Sequence, residues 1–183
     1  MKIEAYAVVS DDDRITDASG RMPAELCNDK EWDFFQAGLD AADISVLGRI
    51  SHETTANVRG RLRLILTSAA ETADSGNGTI FWNPDRTPLE KALAGFGRPV
   101  GHLAITGGRR VFDYFLHGPH RYTAFHLSRI EGVRLPGGIP VFTDVDAKGM
   151  TAEEVLRAAG YQPGPRRQLD AVSHVVTWIP EES

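Results

Sequence analysis

Residues 102–116 read HLAITGGRRVFDYFL, an apolar strand that runs into a glycine pair and turns at once into an amphipathic helix. Gly107 and Gly108 carry no Cβ, so the backbone here allows close approach by a ligand and torsions that other residues avoid. The helix beyond them offers unpaired N–H groups and the positive end of its dipole to an anion. Arg109 and Arg110 add charge at the same point. From these residues alone two readings stand side by side, a phosphate cradle and a plain strand-to-helix turn.

Outward from that stretch, apolar runs alternate with helical patterns. Residues 2–9 predict a central strand, 10–28 a long polar loop, and 29–41 a helix with Trp32, Phe35 and Leu39 at helical spacing. Short buried strands are expected at 44–48 and 63–67, and residues 69–79 read as a small, polar connection. Pro88 opens a short helix that closes near Gly95. Residues 121–130 form a further strand, and Thr151 with Glu154 has the spacing of a capping box. Residues 171–180 alternate as a final strand. The pattern predicts one α/β domain over residues 1–183, with a mixed, mostly parallel central sheet, flanking helices and an antiparallel C-terminal strand.

Composition narrows the function. A net charge of −5 argues against a nucleic-acid partner. Basic residues gather at 59–63, 109–110 and 166–167, which suits a small anionic ligand. Cys27 stands alone, so no disulfide forms within the chain, and a reducing compartment is expected. The start, MKIEAYAVVS, is unlike a signal peptide, and no apolar run reaches membrane-spanning length, so a cytoplasmic protein is expected. His117 with His120, and His52 with Glu53, lack a third ligand at a metal-binding spacing, so no metal is expected. The common hydrolase, zinc and Walker motifs do not occur.

The stretch from Gly20 to Trp32 is a loop that delivers a carboxylate, Asp29, to the start of an apolar helix face. Asn28 or Asp29 as a helix cap is one reading, and Asp29 as an acid in catalysis is the other.

Taken in order, the chain gives Met22-Pro23, Asp29-x-x-Trp32, Val46-Leu47-Gly48-Arg49, Gly60-Arg61, Ile65-Leu66-Thr67-Ser68 and Ile105-Thr106-Gly107-Gly108. This series resembles the dihydrofolate reductase superfamily over nearly the whole chain. The residues 10–15, SDDDRI, and 135–142, LPGGIPVF, are more similar to the reductase domain of riboflavin biosynthesis. The resemblance implies an NADPH-dependent oxidoreductase acting on a small-molecule dihydropterin, in one-carbon metabolism. It places Asp29 on the carboxylate that binds the pterin and supports its protonation, in a largely desolvated setting. Gly48, Arg49 and Ser51 fall on a turn that holds coenzyme phosphates, and Thr67 and Ser68 on the strand end that meets the adenosine phosphate. Gly107, Gly108, Arg109, Arg110 and Val111 match the pyrophosphate turn, whose glycine pair in this family is joined by a cis peptide. Ala7 and Ile15 fall beside the nicotinamide. Ala7, Met22, Trp32, Phe35 and Arg61 fall on the substrate side, with Arg61 on the residue that binds the α-carboxylate of a folate tail.

Three positions depart from the pattern: Ala24 replaces a tryptophan, Asp33 an apolar residue and Thr16 a glycine. The thinner aromatic packing points toward a pterin-like ring, including a modified one such as dihydromethanopterin. The alternatives are an aminopyrimidine ribosyl phosphate, as in riboflavin synthesis, and a non-catalytic module that binds nucleotide or pterin. The resemblance allows either a monomer or a homodimer.

Overall fold

The computed structural model describes residues 1–69 and 73–181, and within them one mixed sheet of nine strands carries six helices. In chain order these are β1 (Lys2–Val9), α1 (Asp29–Ala41), β2 (Ile44–Gly48), α2 (Arg49–Thr54), β3 (Arg63–Leu66), β4 (Ala73–Asp74), β5 (Thr79–Trp82) and α3 (Leu89–Ala94). There follow β6 (His102–Gly107), α4 (Arg109–His117), β7 (Ala124–Ile130), α5 (Thr143–Ala147), α6 (Ala152–Ala158), β8 (Tyr161–Gln168) and β9 (Ser173–Pro180). The sheet order is β4-β5-β3-β2-β6-β1-β7-β9-β8. Strands β5, β3, β2, β6, β1 and β7 run parallel, and β4, β8 and β9 pair antiparallel. Because β6 inserts between β1 and β2, the sheet has a switch point at the carboxyl ends of those strands, where open α/β sheets bind ligands.

The two faces are covered unequally. Ala5, Ala7 and Val9 of β1 point to a large core shared with Val111, Phe112, Phe115 and Leu116 of α4 and with Val155 and Leu156 of α6. Each large side chain buried there contributes roughly 1.5–3 kcal/mol. On the other face α1 covers a smaller cluster of Tyr6, Leu39 and Ala104, flanked by Phe34 and Phe35. The alternation along β1 thus sends odd residues to α4 and even residues to α1. Helix α1 reaches the sheet at backbone distance because Gly38 has no side chain, and a Cβ there would lie 2.3 Å from the Tyr6 ring.

The elements missed by hydrophobic pattern have local causes. Strand β5 is four residues long and too short for a period to show. Strand β8, YQPGPRRQ, contains Pro163 and Pro165, which a central strand cannot accept. It lies at the sheet edge, with a register shift between Pro163 and Arg166. Helix α5 spans five residues. Of the connection expected at 69–79, residues 70–72 lie outside the described residues. No helix among the described residues is long and apolar enough to cross a membrane.

Candidate active site

The two glycine turns expected to hold phosphates lie side by side. A Cβ on Gly48 would sit 3.7 Å from the Gly108 amide nitrogen and 3.9 Å from the Gly107 oxygen. The same Cβ would touch Val111 Cγ2 at 3.5 Å, so Val111, fully buried, forms the base of both turns. Between β2 and β6 the register shifts after Val46, and Leu47 pairs with Gly107. The Gly107–Gly108 peptide is cis, as the resemblance implied. Gly107 has φ +96, and a side chain there would meet the Phe112 ring at 2.7 Å, so glycine is required.

Helix α4 starts directly at Gly108 with no side-chain cap and no acidic residue in its first turn. Arg109 and Arg110 have no ion-pair or hydrogen-bond partner among the described residues. Uncapped N–H groups beside two uncommitted guanidinium groups would suit an anion. Arg49, at the start of α2, is exposed and meets Glu53 only at 3.8 Å, and Ser51 is half-buried on the same helix. Gly48 pairs with Leu66, which sets Thr67 and Ser68 next to that helix start. Thr67 is buried with its hydroxyl accepting from the Ala69 N–H at 3.1 Å, whereas Ser68 is exposed.

The loop after β1 is fixed over these turns by a buried charge cluster. The Arg129 guanidinium bridges Asp13 Oδ1 at 2.6 Å and Glu153 Oε1 at 2.7 Å, and it donates to the Ser10 carbonyl. Asp13 Oδ2 also accepts from the Ala152 N–H, and Asp13 adopts φ 62. Burial pushes the Asp13 carboxyl upward, with Arg129 opposing. A lone buried charge would be strongly unfavourable, so the members hold one another in place. The Ile15 N–H bonds to the Ile139 carbonyl at 2.9 Å. The Ile15 side chain thereby comes within 3.8 Å of where a Cβ on Gly108 would be.

The start of α1 sets two acids in different surroundings. Asn28 is the cap: its Oδ1 accepts from the Glu31 N–H at 2.9 Å, and its Nδ2 donates to Asp170 Oδ2 at 2.8 Å. Such a cap is worth about 1 kcal/mol. Asp29, expected to be desolvated, is exposed in the first turn, because a helix that buries Glu31 and Leu39 turns position 29 outward. The carboxyl carried inward is Glu31, only 5% exposed. Burial pushes its pKa up to about 7, with a hydrogen bond from the Ser128 hydroxyl pulling the other way. Ser128 is itself buried, on β7 between Val8 of β1 and Val175 of β9. Sequence reading passed over Glu31 because the Asp29-x-x-Trp32 spacing drew the motif two residues early. Its position four residues before Phe35, on the same apolar face, was the available signal.

The remaining substrate-side residues divide. Phe35 is half-buried beside Tyr6, ring centroids 6.4 Å apart, and Trp32 lies 5.5 Å from Phe35. Trp32 is 52% exposed and Met22 47% exposed. Ala7, expected beside a ring, is buried in the core toward α4. Half-buried Val8 and Thr106, on the α1 face of the sheet, were not anticipated. Arg61, expected to await a ligand carboxylate, is already paired with Asp40 Oδ1 at 2.5 Å and Gln36 Oε1 at 2.8 Å. A separate groove of about 530 Å³, lined by Tyr6, Lys30, Asp33, Phe34 and Arg167 among others, lies between α1 and β8 and contains none of the expected site residues.

No protein-family model and no curated protein matches the chain. Solved structures do match it. A protein assigned to riboflavin biosynthesis from Shewanella sp. PV-4 superposes with TM-score 0.69 at 16% identity, covering 100% of both chains. The diaminohydroxyphosphoribosylaminopyrimidine deaminase/5-amino-6-(5-phosphoribosylamino)uracil reductase of Thermotoga maritima gives TM-score 0.66 at 13% identity, over 98% of this chain and 56% of that one. Dihydrofolate reductase from Enterococcus faecalis, complexed with NADP(H) and RAB-propyl, gives TM-score 0.61 at 19% identity, over 99% and 97%. The chain therefore shares its fold with dihydrofolate reductase and with these riboflavin-biosynthesis proteins.

Proposed function

We propose that the chain is an NADPH-dependent reductase of a dihydropterin, with Glu31 as its proton-managing carboxylate in place of Asp29. The observation that carries this reading is one buried carboxyl, raised to about 7, at the same sheet edge as two apposed glycine turns with uncommitted arginines. The turn chemistry fits a dinucleotide: Gly48, Gly107, Gly108 and the α4 N-terminus would cradle the pyrophosphate, with Arg109 and Arg110 as counter-charges. Arg49, Ser51, Thr67 and Ser68 would meet the adenosine end, and Ile15 and Ala7 the nicotinamide. Bound NADPH supplies a hydride to an imine carbon.

The chain's own work is positioning and proton management. Phe35, Trp32, Val8 and Met22 would hold a flat ring against the sheet edge and exclude water. Near neutral pH Glu31 exchanges its proton readily, so it would bind the ring's amino group when ionised and deliver a proton toward the ring nitrogen when protonated. One proton and one hydride saturate the C=N bond. The ring is held by Ser128-fixed Glu31 rather than by an exposed acid.

A second reading, reduction of an aminopyrimidine ribosyl phosphate, draws support from the names of the Shewanella and Thermotoga proteins. The test is NADPH oxidation by the purified protein with dihydrofolate, dihydrobiopterin and the aminopyrimidine in parallel. Oxidation with a dihydropterin is the expected result. Oxidation with the pyrimidine alone would transfer the assignment, and tight NADPH binding without any oxidation would make the chain a binding module.

A further inference from the structure

We propose that the groove between α1 and β8 binds a small aromatic acid, a flat ring that carries one carboxylate or phosphate group. The site is separate from the proposed ring site at Glu31 and stands without it. Its two walls come from the helix and from the outermost strand of the sheet. Gly38 lets α1 lie directly on the Tyr6 ring. Facing the helix, residues 162–168 of β8 are exposed or half-buried, so that wall is open to solvent. The space between the walls, about 530 Å³, falls within the roughly 300–1,000 Å³ of small-molecule sites.

The lining joins an aromatic floor to a charged rim. Tyr6 is buried and Phe34 half-buried, with ring centroids 5.9 Å apart. His126 stacks on Tyr6 at 4.7 Å and meets Phe34 edge-on at 5.6 Å, which fixes both rings. On β8 two adjacent arginines have opposite fates. Arg166 bonds to Glu131 and Gln168. Arg167 has no acidic partner among the described residues, and its guanidinium lies over the Phe34 ring, 5.1 Å from the centroid. Stacking occupies the face of a guanidinium and leaves its in-plane N–H groups free for the two oxygens of a carboxylate or phosphate. From the opposite wall Lys30 presents an ammonium that is likewise without an acidic partner among the described residues. Asp33 is the single carboxylate on the lining, so two cations outweigh one anion and the groove favours a ligand of negative charge. A ring on the Tyr6–Phe34 floor and an anion at Arg167 and Lys30 satisfy both halves of this lining. Of the basic pair at 166–167, one arginine is thus committed within the fold and the other is left for a ligand.

The experiment follows the amide proton–nitrogen correlation spectrum of the full chain during titration with benzoate and with phenyl phosphate. Benzamide, a ring without the charge, and inorganic phosphate, the charge without a ring, are the controls. Both aromatic acids are expected to shift the Lys30, Phe34 and Arg167 amides saturably, with Kd about tenfold below that of either control. Arg167→Ala should weaken benzoate binding about tenfold, and Arg167→Lys, which keeps the charge and loses the fork, should weaken it less. Absence of saturable shifts at these amides would overturn the proposal, as would shifts confined to Gly108 through Val111, which would place the ligands at the glycine turns. Inorganic phosphate binding as tightly as phenyl phosphate would also overturn it, since the rim cations alone would then suffice. So would benzoate binding that is unchanged in both Arg167→Ala and Lys30→Ala. Groove amides that shift with protein concentration alone would assign the groove to a second copy of the chain instead. In each of these cases the reductase reading would stand.

Discussion

The two ends of the crevice treat charge in opposite ways. At the glycine turns the fold leaves positive charge uncommitted: the Arg109 and Arg110 side chains have no partner among the described residues, and the first turn of α4 contains no acid. Along α1 it does the reverse, neutralising Arg61 with Asp40 and burying Glu31 where its charged form is disfavoured. Unmatched positive charge suits an anion, and a carboxyl whose charged form is suppressed suits a neutral ring, which is how we read the two ends. On the proposed reading, the glycine turns and the buried carboxyl of α1 would serve the two halves of a two-substrate site.

The sharpest way to break this contrast is at Glu31. Glu31→Gln keeps the shape but not the proton, and turnover with a dihydropterin should fall by roughly 10²–10³-fold, in the range of general acid–base losses. Steady-state NADPH oxidation measures it, and a loss below about threefold would remove Glu31 from the chemistry. The same substitution should change stability in a pH-dependent way. The folded chain holds the Glu31 proton more tightly than the unfolded chain, with a pKa of about 7 against 4.5. The wild type therefore loses stability as pH rises from 4.5 through 7, by up to about 3 kcal/mol. Glutamine does not titrate, so Glu31→Gln should gain over wild type across that window. Urea melts at low and high pH read the difference.

The opposite end is tested by charge removal. Arg109→Ala with Arg110→Ala should weaken NADPH binding about tenfold, with the loss shrinking as salt rises. Equal loss at all salt concentrations would indicate damage to the turn instead. The smallest effect is expected at Asp29. Exposed and in the first turn, its change to Asn should alter turnover by no more than about twofold, reflecting only a lost favourable charge near the helix start.

The elements around the site were largely legible in the chain. HLAITGGRR declares a strand, a turn without side chains and a helix start, because each of those depends on neighbours in sequence. Strand β8 was not, since Pro163 and Pro165 are tolerated only at an edge, and edges are defined by the whole sheet. The site shows the same division. The glycine turns were readable from local pattern, whereas Thr67, Phe35 and Ile15 were expected at the site through the resemblance. Glu31 carried a spacing signal, four residues before Phe35, but the resemblance drew the reading to Asp29, and how deeply that face is buried depends on how α1 docks against β1. Arg61 was recognisable as a cation, but its pairing with Asp40 joins residues from different elements. Partnership across the fold, rather than residue type, decides whether an arginine waits for a ligand.

The most direct measurement of the central claim is the pH dependence of a single turnover with NADPH and dihydrobiopterin, run on wild type, Glu31→Gln and Asp29→Asn. If Glu31 supplies the proton, the wild-type rate should fall as pH rises through about 7, where the buried carboxyl ionises. Asp29→Asn should follow the same curve, and Glu31→Gln should be slow and flat. A wild-type curve that survives in Glu31→Gln and disappears in Asp29→Asn would contradict the account.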